Sequence, residues 1–596
     1  MKSDSRSPYV HRLTLYDHQG KAIDPTAGDA PPYSPQATCG KCHEVGLVGG
    51  GWHFNACQPD VDAGRAGEPW LLSDARFGMS VPISGRGWPG AFKPEQVGLS
   101  AWQMTLTFGH HSPGGGYGEL DDETLAKTAE AKRWEISGKL EVDCMMCHAA
   151  DRSYDPAEVA RQLERENLRW TPTAAIGLAA IRGDAKRVPD NFDPMNPSND
   201  PAQSPPTTIY DKTRFDGDNR VHFDVVRQPA SERCYFCHTT RPVGHDAPTP
   251  WKIAGDVHLA AGLDCADCHR NDITHAITRG YNDPADVGRS THETTLTCEG
   301  CHLGWVNGHP AAGDGAATAG TYGAPYPQHA GIPPLHFEKM TCTACHSGPW
   351  PDVDGAQTVQ TSLAHKLGIG TKDRTDEQPP QIVEPVFSRD EAGRVAPYRQ
   401  TWPAYWAVKR GDKLEPIAIE TVRKLAAKAL PKPRGKEALP PLSDEQIAQT
   451  LVALAKAAEG DGATVVYVRD HQIHQLDASG KRVSAAHAEA KPYRWALAHD
   501  VRPASQSLGV RGCTDCHAAD GAIFFGIADV RPTSQPATSR PATPMYQLIG
   551  YDARLAQMWS LGLAGKPAFL AVATPLLALL VAGLIARLAN WMRGGA

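Results

Sequence analysis

The chain has 596 residues, 41% of them apolar, enough for two to four ordinary domains with conventional cores. A net charge of −7 with no basic stripe excludes nucleic acid as its main partner. Gly (56) and Pro (49) are abundant and aromatics reach only 7%, so the chain is loop-rich and something besides side-chain packing is expected to fill part of its interior.

Residues 1–150 begin Met1-Lys-Ser-Asp-Ser-Arg-Ser-Pro, without an apolar h-region, so an export signal is expected from a start further upstream or from an omitted leader. This turn-rich stretch, with its Gly114–Gly116 run, holds two copies of one motif: Cys39-Gly-Lys-Cys42-His43 and Cys144-Met-Met-Cys147-His148. Residues 151–221 hold none. A helix is expected over Pro156 to Trp170, followed by a polar Asp/Asn/Pro-rich connection near 189–206. Residues 222–350 carry four more copies: Cys234-Tyr-Phe-Cys237-His238, Cys265-Ala-Asp-Cys268-His269, Cys298-Glu-Gly-Cys301-His302 and Cys342-Thr-Ala-Cys345-His346. Their spacing of about thirty to forty residues makes them the nearest thing to a repeat, one of ligation and not of a folded unit.

Residues 360–490 contain no copy. Thr401 to Val408 reads as a strand, Ile417 to Ala429 and Asp444 to Ala458 as helices with Ser443 as an N-cap, and Ala463 to Val468 with a turn at Ser479-Gly480 as a hairpin. Such a small mixed α/β insert suits docking or packing better than catalysis. Residues 491–530 hold the last copy, Cys513-Thr-Asp-Cys516-His517, and 531–545 form an extended Pro/Ser/Thr-rich linker. A transmembrane helix is expected over 567–588. Pro567 to Ala586 has no charge, lies between Lys566 and Arg587, and at about 1.5 Å per residue covers a hydrocarbon core of about 30 Å. Pro575 inside it is tolerable in a membrane helix. A buried helix of a soluble protein is the alternative, but it rarely runs so long uncharged.

Fourteen of the 15 Cys thus fall in C-x-x-C pairs followed at once by His, where chance predicts about 0.02 copies of this haem-attachment motif. Two thiols three positions apart lie on one side of a helical turn and can form thioethers with the two vinyl groups of a porphyrin. The adjacent imidazole then reaches the iron as the proximal ligand. Zinc, disulfide and thiol-redox readings compete, but none of them demands His directly after every second Cys. The expected cofactor is therefore haem c, seven copies. Cys57 remains, read as a buried or free thiol, with iron ligation the minority alternative.

Eighteen His remain for the second axial position. His258, His292 and His336 precede motif cysteines by six or seven residues, and His245, His275 and His309 follow motif histidines at similar distance. Two interleaved series imply that neighbouring haems trade ligands, without saying which series serves which iron. His53, His110, His111, His222 and His499 are the further candidates. His329 and His365 rank lower, and His11, His18, His471, His474 and His487 are expected to do no ligation. Met145 and Met146, between two motif cysteines, are poorly placed to reach the iron. Bis-His ligation throughout is expected, which favours low potentials relative to His/Met.

By its seven motifs the chain resembles a multihaem c-type cytochrome. The segment His258 through His275, with Gly-Leu-Asp-Cys265-Ala-Asp-Cys268-His269, is similar to clustered-haem segments of the octahaem tetrathionate reductase and hydroxylamine oxidoreductase relatives. His499-Asp-Val-Arg-Pro-Ala through Cys513-Thr-Asp-Cys516-His517, followed by a lone apolar helix, resembles membrane-anchored cytochrome subunits of quinone-linked complexes. The resemblances imply a mainly α and irregular-coil fold organised around packed haems. They also imply a periplasmic haem body on a single-pass anchor in the cytoplasmic membrane, because thioether attachment in this family takes place outside the cytoplasm. The implied partners are integral quinone-linked subunits and a periplasmic redox partner, with electron transfer as the activity. The alternative is an enzyme acting on a small nitrogen or sulfur compound at one open haem. Catalytic octahaem members use a Lys-ligated or cross-linked haem, whereas all seven motifs here end in His.

Overall fold

The computed structural model describes residues 11–51, 53–54, 70–74, 76–84, 90–109, 122–150, 153–196, 198, 200–235, 256–271, 273–275, 277, 297–306, 309–310, 319–347, 358–359, 382–383, 386–432, 442–458, 462–499, 501–519, 521–529 and 542–594. Short helices and coil dominate, with strands gathered mainly in one unit and a single long helix at the C-terminal end.

The N-terminal body folds around Leu15, Tyr33, Trp102, Trp134, Leu163, Leu168 and Phe223. Met145 and Met146 point into this core and are 4% and 8% exposed, so their side chains are committed to packing. The expected helix after Pro156 forms as Pro156–Glu164, with Pro at its start and Asp155 accepting from Ala157 N–H, and a separate turn covers Leu168–Trp170. Glu166, between them, has a positive φ of 62°, which breaks the helix there.

The mixed unit is a five-stranded antiparallel sheet in the order 413–416, 405–410, 464–469, 472–476, 482–486. The expected strand at Thr401 is two strands, Val395–Thr401 and Tyr405–Arg410, belonging to different sheets. The expected hairpin is a three-strand meander: Asp470-His471, both at positive φ, make its first turn and Ser479-Gly480 lies in its second. The helices form at Ile419–Ala426 and Asp444–Leu454, and Ser443 caps the latter in a capping box with Gln446.

This unit shares one core with the N-terminal hairpin 70–74/79–83, whose Leu72, Phe77, Met79, Val81 and Ile83 pack with Trp406, Tyr467, Ile447 and Leu451. Trp406 Nε1–H donates to Phe77 O (2.8 Å) and Tyr467 O–H to Gly78 O (2.7 Å). Gly78 has φ +62° and a Cβ there would lie 2.7 Å from the Tyr467 oxygen, so only glycine fits this turn.

The C-terminal helix runs unbroken from Ala553 to Gly594, with Pro567 and Pro575 inside it. Pro567–Gly594, 28 residues of mean hydropathy 2.5, is long and apolar enough to cross a membrane, and none of its apolar window is buried against the protein. Ala556 and Ser560, before the span, are buried (0% and 2% exposed) against the body.

Candidate metal centres

Four of the motifs, the second and the fourth to sixth, begin a helical turn set by the residue before the first cysteine. Asp143 accepts from Met145 N–H, Thr297 from Gly300 N–H and Thr341 from Ala344 N–H, while Asp264 and Asp267 form a reciprocal capping box. Side-chain caps hold turns as short as Cys144–His148, Cys265–Cys268 and Cys342–His346 and thereby present both sulfurs on one side.

An imidazole nitrogen bonds a metal ion at about 2.0–2.1 Å and its ring centre lies about 1.1 Å further back, so two imidazoles on opposite faces of one ion have centres about 6.3 Å apart. Five motif histidines meet a second histidine at this separation: His148 with His275 (6.0 Å), His269 with His499 (5.9 Å), His302 with His258 (6.3 Å), His346 with His329 (6.2 Å) and His517 with His336 (6.2 Å).

The ring nitrogens are arranged for the same purpose. His148 Nδ1 lies 2.8 Å from Val226 O, His275 Nδ1 3.0 Å from Ile273 O, His302 Nδ1 2.7 Å from Pro325 O, His336 Nδ1 3.2 Å from Pro333 O and His346 Nδ1 3.3 Å from Arg502 O. A carbonyl only accepts, so each Nδ1 carries the proton and Nε2 is the nitrogen left to bind a metal. His275 and His329 hold positive φ values of 56° and 42°, a backbone cost of about 1–2 kcal/mol each that the surroundings impose. At His275 the neighbour is Gly51, where a Cβ would come 2.6 Å from the His275 carbonyl oxygen.

Asp256 serves two of the pairs. It is 2% exposed, and its oxygens lie 3.2 Å from His499 Nδ1 and 3.4 Å from His258 Nδ1 while accepting from Val501 N–H (2.8 Å) and His258 N–H (2.9 Å). Burial alone would raise its pKa, but the two imidazoles and the Val501 amide outweigh burial and hold the carboxyl well below the usual range.

The motifs also touch one another in chain order. The Cys39 and Cys144 thiols hydrogen-bond, as do Cys234 with Cys265 and Cys298 with Cys342. The Cys144–His148 helix packs on Ser231–Tyr235. Cys268 lies near Cys301, and Cys516 near Cys345. These thiols stand where thioether sulfurs would be, and the contacts string the seven motifs into a single file. The seventh lies on the long helix: His517 is 6.2 Å from the Trp559 ring and Ser560 donates to Ala518 O.

Of the expected distal ligands, His258, His275, His336 and His499 stand opposite motif histidines, none of them on the motif nearest in sequence. His53 lies half-buried beside Phe54, whose ring is 6.1 Å from His275. His222 is exposed on the strand Arg220–His222. His110, His111, His245 and His292, with Cys237 and His238, lie outside the described residues, and of His309 only the backbone strand His309–Pro310 is described. His43 is exposed and faces no second imidazole among the described residues. His329, which sequence ranks lower, stands opposite His346; it lies too far from Cys342 to share the six-to-seven-residue offsets, and only its place before the Gly331-Ile-Pro-Pro turn sets it apart in sequence.

The donor sets fit haem. Among the described residues no three His, Cys, Asp or Glu side chains converge on one point, as a protein-only tetrahedral zinc site requires. Two opposed imidazoles suffice when a macrocycle supplies the other four donors. No family model matches the chain, and no curated protein or solved structure matches it either.

Proposed function

We propose that this chain is a heptahaem c-type cytochrome that carries electrons on the outer face of the cytoplasmic membrane. The observation that carries the reading is the set of five imidazole pairs, each joining a motif histidine to one outside any motif at the spacing of two axial ligands. Haem iron supplies reversible one-electron chemistry. The chain's part is to fix each macrocycle by two sulfurs, orient the imidazoles through their Nδ1 partners, and keep neighbouring sites in contact. Electrons would leave a quinol-oxidising membrane partner, enter at the seventh site beside the anchor, pass down the file and leave to a periplasmic acceptor. The apolar helix contains no His, so a quinone or b-haem site belongs to the partner.

Intact mass and haem staining of the exported protein test the reading: seven added tetrapyrroles are expected, and a colourless product of unmodified mass refutes it. A pulldown from detergent-solubilised membranes is expected to bring integral subunits with it. A second reading, reduction of a small nitrogen or sulfur oxyanion, is favoured by one observation, His43 without an opposed imidazole among the described residues. A high-spin EPR signal that responds to nitrite or hydroxylamine supports this second reading, and an all-low-spin spectrum removes it.

A further inference from the structure

Asp256 is the only carboxylate among the described residues placed against the ring nitrogens of two paired histidines that belong to different motifs. His499 faces His269 of the fourth motif and His258 faces His302 of the fifth. The carboxylate lies between their Nδ1 atoms, at 3.2 and 3.4 Å, and its side chain is 2% exposed, so water does not compete for it. It is locked in place from both strands of chain: Asp256 caps the helix Val257–Ala260, accepts from Val501 N–H, and Val257 N–H donates to Val501 O (2.8 Å). The other described ligands with an Nδ1 partner lean on neutral carbonyls instead.

A carboxylate accepting from Nδ1–H raises the basicity of the imidazole and its donation through Nε2. Greater donation, together with a buried negative charge nearby, favours the oxidised iron. Resting on the haem reading above, we infer that Asp256 is a shared positioning residue that depresses the reduction potentials of the fourth and fifth haems together, making them a low-potential pair in the middle of the file. Electrons moving in either direction cross this pair, and its two members respond as a unit because one charge acts on both.

The test is Asp256→Asn in the exported holoprotein, compared with wild type by spectroelectrochemical titration and EPR. Asn keeps the shape and removes the charge. Two of the seven one-electron components are expected to become about tenfold easier to reduce, about 59 mV upward each, with the other five unmoved. Two low-spin EPR signals are expected to shift with them. Asp256→Glu, which keeps the charge, is expected to return both components toward wild type. Seven intact haems with no component moved overturns the inference, as does a shift in one component alone or a variant that loses a haem, which would make Asp256 purely structural. Absence of haem from wild type would instead refute the cytochrome reading, so the two failures are distinguishable.

Discussion

Replacing His336 by Ala separates two assignments of that ligand. It precedes Cys342 by six residues, so sequence alone offers it to the sixth site, yet its ring lies 6.2 Å from His517 of the seventh, while His329 stands 6.2 Å from His346 of the sixth. A separation of 6.2 Å is two coordination bonds and two half-rings, which leaves no room for another ligand between them. Loss of His336 should therefore turn one iron in seven, about 14%, from six-coordinate low-spin to five-coordinate or water-ligated high-spin. His336 lies half-buried on the short helix Leu335–Lys339, so apart from the iron bond itself the fold should lose only about 1 kcal/mol. EPR and the high-spin charge-transfer band read the fraction. A background with Cys513 and Cys516 replaced by Ala assigns it: there His336→Ala should add no high-spin iron, whereas His329→Ala should convert one of the six that remain. Additional high-spin iron from His336→Ala in that background, or none in either background, refutes the reasoning.

Arg133→Met should destabilise the N-terminal body by about 3 kcal/mol in denaturant unfolding, because Arg133 and Glu166 (2.6 Å, side chains 14% and 13% exposed) are largely shielded and the variant strands the carboxylate. The double variant with Glu166→Met should recover most of that loss. A chain ended after Lys566 should leave the membrane fraction with all seven haems and an unchanged spectrum, while one ended after Asp552 should also alter the seventh haem, since it removes Trp559 and Ser560. Fractionation and absorption spectra decide it. The ring planes are near perpendicular at the second and seventh sites (73° and 83°), so those haems should give the strongly anisotropic class of low-spin EPR signal, whereas the fourth, at 37°, should be more rhombic.

What sequence could carry was local. Cysteine pairs and the adjacent imidazole lie within one turn, so all seven motifs are legible before folding, as are the capping box at Ser443 and the uncharged run from Pro567. The histidine pairs depend on distant pieces of chain meeting. His269 and His499 sit on opposite sides of the whole mixed unit, and His148 meets His275 across the strands and turns of 151–221. The offsets offered histidines to neighbouring sites, yet His275 stands opposite His148 and His499 opposite His269, and the offsets could not say which imidazole faces which motif. The hairpin 70–83 was hidden for another reason: its second strand, Met-Ser-Val-Pro-Ile, is buried throughout and shows no alternation, so nothing in it announces a partner more than three hundred residues away.

The unbroken passage from body to apolar helix sets how high the molecule stands. From Trp559, which touches His517, to Pro567 is eight residues, about 12 Å of rise. The headgroup layer is itself about 5–7 Å deep on each side. Because the helix is unbroken across that interval, a span seated in a bilayer would carry the last motif on a short stiff stalk just above the lipid surface. On the electron-transfer reading proposed above, that motif does not swing out to a distant donor, and a partner delivering electrons there rises from the same bilayer and offers its own redox group at that height.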